Sequence, residues 1–438
     1  MTNAEPLRPL IASRMARLGT ENAFKIGEDI KRCQERGIDV IRLNLGEPDF
    51  DTPPALKEVA IKQIRAGDTH YCDPAGLLQL REVIAGHVSE SRGLDIGPDQ
   101  VVVTPGAKPT IGHAIQCYVE PGDEVIYPSP GFPIYESWVQ FVGATPVPLQ
   151  LSETRGFAFS GEDLEARITD RTKLIILCSP SNPTGGALSQ QELERVAAVI
   201  RSKGRPDLRI YSDEIYEHIL FDGEAHHSIA SQPGMAKHTV IASGHSKGFA
   251  MTGWRLGFAV LPTVAEAEVF KQLNINTISC VPPFIQAAGC EAYGNPESSE
   301  ATQRMVAEFQ RRRDWIVPAL NGIEGIRCQM PKGAFYVFPN VASICKRIGV
   351  LDSHRKLPDE VRARTTPSGM LQMFLLYVHG LATMDRNSFG SIGADGQHYL
   401  RLSIASSLEE LQEGMSRLRR AAVDADGFAS FVSEHYLS

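Results

Sequence analysis

A lysine inside an apolar stretch is the residue of this chain with the most evident chemistry. Lys247 sits in Ser246-Lys247-Gly248-Phe249-Ala250-Met251-Thr252-Gly253-Trp254-Arg255, just after the strand-like run from Thr239 to Ala242. A lysine withdrawn from water gives up its proton more readily, and the free amine is the form that attacks a carbonyl to make an imine. An ordinary surface lysine fits the same string. Two further kinds of cluster also follow strand-like runs. Thr104-Pro105-Gly106-Ala107-Lys108 opens a helix, so backbone N–H groups and the positive helix end converge on a point suited to phosphate; a plain strand-to-helix connection uses the same residues. Ser179-Pro180-Ser181-Asn182-Pro183-Thr184-Gly185 and Asp213-Glu214-Ile215-Tyr216 carry polar groups at strand ends. Each alone reads equally as turn chemistry or a helix cap. Ligands of open α/β sheets bind beyond the carboxyl ends of the strands, so the three clusters are expected to share one crevice.

The elements that carry them are legible as short apolar runs alternating with amphipathic stretches. The runs are Val101 to Val103, Glu124 to Tyr127, Leu174 to Cys178, Leu208 to Tyr211, Thr239 to Ala242 and Leu256 to Leu261. This alternation predicts an α/β fold with a mostly parallel sheet covered by helices. One such helix is read from Ser189, its cap, to Lys203, with Gly204 as its stop. Residues 1–67 read as an N-terminal tail and part of a small domain, 68–322 as the large domain, and 323–438 as an α+β small domain. Within the last, Ala334 to Phe338 and Tyr399 to Ile404 read as strands and Leu408 to Ala421 as a helix, while 344–368 is read as a loop. Arg311, Arg312 and Arg313 are read as the solvated face of a helix from Pro296 to Leu320.

Composition narrows the classes. With 438 residues, a formal net charge of −8 and no long basic run, the chain lacks the positive excess that nucleic-acid binding requires. Its eight cysteines include no C-x-x-C pair, so neither a metal site nor a redox motif is expected and the thiols are expected to be reduced. No segment offers the roughly 18 uninterrupted apolar residues of a membrane helix. Cytoplasmic residence is the resulting expectation.

Taken in order, Gly46-Glu47-Pro48-Asp49-Phe50-Asp51-Thr52-Pro53, Tyr71, Pro74-Ala75-Gly76, Gly106-Ala107-Lys108, Asn182-Pro183-Thr184-Gly185, Asp213-Glu214-Ile215-Tyr216-Glu217, Ser246-Lys247, Met251-Thr252-Gly253-Trp254-Arg255 and Arg401-Leu402-Ser403 form a pattern. It resembles the fold-type I, pyridoxal-phosphate-dependent aminotransferases of class I/II, in the prokaryotic aspartate-aminotransferase-like branch. The resemblance implies a seven-stranded, mostly parallel sheet in the large domain and a small domain built from both termini. It implies that Lys247 holds the cofactor as a Schiff base and shuttles the substrate proton, and that Asp213 pairs with the pyridine nitrogen. Asn182 and Tyr216 would hydrogen-bond the phenolic oxygen. Phe132 would stack on the ring where a Trp is common. Arg255, with Gly106, Ala107 and Lys108, would hold the phosphate; Ser246 or Ser243 would replace a serine that some relatives place at Gly244. Tyr71 would reach the phosphate of a neighbouring subunit in a homodimer. Arg401 would grip the substrate α-carboxylate as a bidentate fork, and Lys108 the distal carboxylate, favouring aspartate or glutamate. Gly46 would lie near the substrate, and Thr20 and Asn22 in a segment that closes over it. The string Asp385-Arg386-Asn387-Ser388-Phe389 departs from the family pattern and is read as placing Arg386 at the pocket entrance as a second substrate-binding cation. The same site would also serve elimination, decarboxylation or ring-closing chemistry, or a cofactor-sensing regulator.

Overall fold

Seven strands build one sheet in the computed structural model, which describes residues 10–19 and 21–437, with Ala23 and Phe24 described by backbone alone. They are β1 (Val101–Thr104), β2 (Glu124–Ser129), β3 (Thr145–Gln150), β4 (Thr172–Cys178), β5 (Arg209–Asp213), β6 (Thr239–Gly244) and β7 (Gly257–Val260). Their order is β1-β7-β6-β5-β4-β2-β3, and only β7 runs antiparallel to its neighbours. Successive residues of β4 enter opposite layers. Leu174 and Ile176 pack with Val125, Tyr127 and Val240, while Ile175 and Leu177 pack with Ile126, Ile210 and Leu193. A sheet covered on both faces needs such unbroken apolar runs, and each fully buried Leu or Ile contributes about 1.5–3 kcal/mol. The helix Gln190–Lys203 on one face starts at a capping box, Ser189 with Glu192, as its sequence predicts.

The strand β3 is absent from the sequence reading because Pro146 and Pro148 argue against a sheet interior. It is an edge strand. Thr145 N–H donates to Asp123 O and Leu151 N–H to Ser129 O, so odd-numbered positions face β2 and both prolines face away from it.

A second layer joins the chain's two flanks. Ile41–Arg42 pairs in parallel with Leu381–Ala382, and Leu400–Ser403 pairs antiparallel with both Tyr336–Val337 and Met384–Asp385. Their core includes Phe374, Leu411, Leu418 and Phe428, with Phe309, Ile316 and Leu320 from the helix Pro296–Asn321. The helix Pro54–Ala66 instead buries Leu56 and Ala60 against Leu80 and Ala288.

Two readings are corrected. The segment 344–368 is helical for much of its length, as Ala342–Arg347, Val350–Lys356, Asp359–Arg362 and the start of Pro367–Tyr377. The first three helices are too short for an apolar period to show, and they are anchored by buried Ile344, Cys345, Val350 and Leu357. Of the three arginines, only Arg311 lies on a solvated face. Arg312 is buried with its fork on Asp49 at 2.7 and 2.9 Å, and Arg313 is buried with its fork on Asp222 at 2.7 Å. Consecutive helical residues diverge by about 100° and cannot share one face. Among the described residues no helix is long and apolar enough to cross a membrane.

Candidate active site

One cavity of about 440 Å³ collects the loops that leave β1, β2, β4, β5 and β6 and the residue that leads toward β7. Ala107 and Lys108 come from the first of these, Phe132 and Tyr135 from the second, and Asn182 from the third. Asp213 and Tyr216 follow on β5, Ser246 and Lys247 after β6, and Arg255 before β7. The second layer closes the opposite wall with Gly46, Tyr336 and Arg401.

Lys247 lies in a single helical turn, His245–Gly248, and keeps part of its side chain open to the cavity. Its Nζ donates to Gly46 O at 2.6 Å. Burial pushes the amine down to about 8, with Arg401 and Arg255 acting in the same direction against Glu47 and Glu21. Gly46 is required by space: a Cβ there would stand 2.2 Å from the Tyr336 hydroxyl. Ala250 and Arg255, both beyond the lysine, hold φ of 50° and 57°, a left-handed conformation that non-glycine residues adopt at a cost and that collects at functional sites.

Asp213 ends β5 as a buried carboxyl, and burial pushes it up to about 6. Two donors oppose the burial effect: the Tyr135 hydroxyl on Oδ2 at 2.6 Å and the Ile215 N–H on Oδ1 at 3.3 Å. A cation set beside this carboxylate would bring it back to the ionised range.

A different end of the cavity suits an anion. The helix Lys108–Tyr118 begins there with its positive end at the cavity; Pro109 has no N–H, and Thr110 N–H donates to Ala107 O at 3.1 Å. Arg255 is pinned to it by Nη1 on Thr252 O at 2.7 Å and Nη2 on Pro105 O at 3.2 Å. Gly106 contributes by lacking a side chain, since a Cβ would collide with Arg255 Nη2 at 2.2 Å; its own N–H donates to Thr104 O. Ser246 lines this cavity, whereas Ser243 turns away and donates to Glu217 Oε1 at 2.6 Å.

Arg401 forms the second anion point. Its Nη1 donates to Asn182 Oδ1 at 3.0 Å and its Nη2 to Asn44 O at 2.5 Å, while the guanidinium lies over Tyr336 and Phe389 with centroids at 4.6 and 4.9 Å. Its Nε is buried and has no hydrogen-bond partner among the described residues, a donor that a bound carboxylate would satisfy. Tyr216 shares a hydroxyl contact of 2.8 Å with Tyr336.

Arg386 is not part of this site, which corrects the expectation for it. It is fully buried, with Nε on Gln397 Oε1 at 2.8 Å, Nη1 on Gly390 O at 2.8 Å and Nη2 on Ser129 Oγ at 2.9 Å. The short helix it starts is capped by Asp385, so the departing string folds inward as a structural clasp. Tyr71 is 87% exposed and outside the cavity lining of the single chain. Thr20 lies outside the described residues; Asn22 donates to Ser388 Oγ at 3.1 Å. Among the described polar residues that line the cavity, Tyr135, Tyr336 and Glu21 are absent from the sequence reading. Tyr135 had a signal, three residues beyond Phe132 after a strand end. Tyr336 is hidden in an apolar run, and Glu21 lies between Thr20 and Asn22 in the segment read as closing over the substrate, without being singled out itself.

The model of the family described as aminotransferase class I and II matches residues 38–418. A probable aspartate/prephenate aminotransferase of Aquifex aeolicus (strain VF5) is 35% identical over 416 residues, covering 95% of this chain and 99% of its own length. The bifunctional aspartate aminotransferase and glutamate/aspartate-prephenate aminotransferase of Petunia hybrida is 37% identical over 391 residues, or 89% of this chain and 78% of its own. Among solved structures, the aspartate aminotransferase of Thermus thermophilus with maleate is similar with a TM-score of 0.82 at 32% identity, covering 94% and 99% of the two chains.

Proposed function

The chain belongs to the class I and II aminotransferases, enzymes that use pyridoxal phosphate to transfer amino groups from amino acids to 2-oxo acids, and on that premise we propose which of its residues do so and on what donor. The cavity suits the cofactor. Arg255 and the helix starting at Lys108 offer a phosphate seat, the buried Asp213 carboxyl awaits a cation, and an amine held near 8 lies in the same cavity. When bound, the cofactor supplies a cationic ring that takes up the electron pair left by breaking the substrate Cα–H bond.

Lys247 would hold the cofactor through its carbonyl, and its amine, when free, would take the proton from the substrate Cα. Asp213, held by Tyr135, would keep the ring nitrogen protonated. Asn182 and Tyr216 would donate to the phenolic oxygen, Phe132 would cover the ring, and Ala107, Lys108, Ser246 and Arg255 would hold the phosphate. Arg401 orients the substrate through its α-carboxylate, and Lys108 meets the distal carboxylate of aspartate or glutamate. The observation that carries this reading is the placement of a deprotonation-prone lysine and a buried carboxyl between two anion seats. A large lobe over 68–322 and a small lobe from 1–67 with 323–438 accompany it, supported by the pairing of Ile41–Arg42 with Leu381–Ala382, save that the helix Pro54–Ala66 packs with the large lobe. So does a homodimer in which outward-pointing Tyr71 reaches the neighbouring phosphate seat. Eight free cysteines support residence in the reducing cytoplasm. The relatives named above are all aminotransferases, and nothing in the cavity favours elimination, decarboxylation or sensing over transfer.

The test is the absorbance of the holoenzyme between about 300 and 500 nm during addition of L-aspartate without a 2-oxo acid. Loss of the visible band with growth of a near-ultraviolet band is expected. A spectrum that neither aspartate nor glutamate changes would overturn the donor assignment.

A further inference from the structure

Glu21 stands where a substrate carboxylate is expected. Its Oε2 accepts a hydrogen bond from Lys108 Nζ, and both residues line the cavity. Glu21 is the N-cap residue of the helix Asn22–Glu35, yet its side chain makes no capping bond to that helix. Its carboxylate is directed to the cavity instead, with 20% of the side chain exposed against 42% for Lys108. The charge is felt by Lys247 and Arg401, the groups that flank the substrate seat. Mooring of the segment rests on other bonds: Gly19 N–H donates to Ser137 Oγ at 2.9 Å and Asn22 Nδ2 to Ser388 Oγ at 3.1 Å. Lys108 Nζ also lies 5.4 Å from the centroid of Phe132, so the ammonium is set between a carboxylate and an aromatic face.

We propose that Glu21 is an exchangeable counter-ion that sets the range of donors: a dicarboxylic substrate displaces it from Lys108, and a substrate with an uncharged side chain leaves it in place. The inference rests on the reading of Lys108 as the seat of the distal carboxylate. An apolar side chain laid against a bare ammonium would strip its water without compensation; with Glu21 in place that penalty does not arise. A dicarboxylate trades one carboxylate for another at Lys108, so the exchange lies near balance and both classes of amino acid are accepted.

The experiment titrates the holoenzyme with succinate and with 3-phenylpropanoate, which share the carboxylate for Arg401 and differ at the distal end. Dissociation constants are read from cofactor absorbance in the wild type, Glu21→Gln, Glu21→Asp and Lys108→Ala proteins. Glu21→Gln is expected to tighten succinate roughly five- to tenfold without tightening 3-phenylpropanoate, and Glu21→Asp to stay near the wild type. Equal tightening of both anions by Glu21→Gln would overturn the counter-ion role and leave Lys108 as assigned. Succinate binding alike to the wild type and Lys108→Ala would overturn the Lys108 reading and the inference with it.

Discussion

The phenolic hydroxyl of Tyr135 donates to Asp213 Oδ2 across 2.6 Å, and both groups are buried beneath the cavity. Even with the Ile215 N–H on Oδ1, these donors do not offset burial, and Asp213 stands at about 6 against an ordinary 3.8. Below the ordinary value the carboxyl is protonated in both folded and unfolded chains. As pH rises through the window between the two values, the unfolded chain releases its proton first, so stability falls; above the folded value the full penalty applies, on the order of 3 kcal/mol. Asp213→Asn is therefore expected to stabilise the cofactor-free protein at neutral pH by about 2 kcal/mol while nearly abolishing transamination. Denaturant unfolding of the two apoproteins across that window checks it; equal pH dependence would refute it.

Lys247 gives the second expectation. With its amine pushed down to about 8, uptake of pyridoxal phosphate by the apoenzyme should accelerate with pH and level off just above that value. An unperturbed lysine would continue to gain past its ordinary 10.5. Stopped-flow absorbance distinguishes the two, and Lys247→Ala should give no imine that borohydride can trap.

Arg401 is already oriented by Asn182 Oδ1, Asn44 O and the faces of Tyr336 and Phe389 before any substrate arrives. Lysine cannot reproduce that planar fork. Arg401→Lys is expected to lower kcat/KM for every amino donor by about a hundredfold, or roughly 3 kcal/mol, with an unfolding midpoint close to the wild type.

Arg386 should behave in the opposite way. Its bonds to Gln397, Gly390 and Ser129 join the departing string to the end of β2. Arg386→Ala leaves those acceptors buried and should destabilise the fold by about 3 kcal/mol. The ratio of kcat/KM for aspartate to that for other donors should not move; a shift in that ratio would restore the substrate-binding role.

Much of the sheet is legible in the sequence because burial on both faces leaves unbroken apolar runs, of which Thr172–Cys178 is the plainest. Lys247, Asp213, Asn182 and Arg255 come together in space because each lies beside a strand end on one edge of that sheet. Contacts made across long sequence separations leave no such trace. Tyr216 meets Tyr336 from 120 residues away and Lys108 meets Glu21 from 87. Arg386 shows the reverse error: a charge in a loop-like string is read as a cation at the pocket entrance, and only the backbone carbonyls folded around it reveal a buried clasp.

The edge strand β3 has a further consequence for how copies of this chain can meet. Its outward side presents the carbonyl of Pro148, already taken by Arg167 Nε at 2.9 Å, and no amide hydrogen at either proline. An extended segment arriving there finds almost no ladder to continue. This end of the sheet is thereby closed to strand addition, and with it one common route by which a large open sheet recruits neighbours into aggregates.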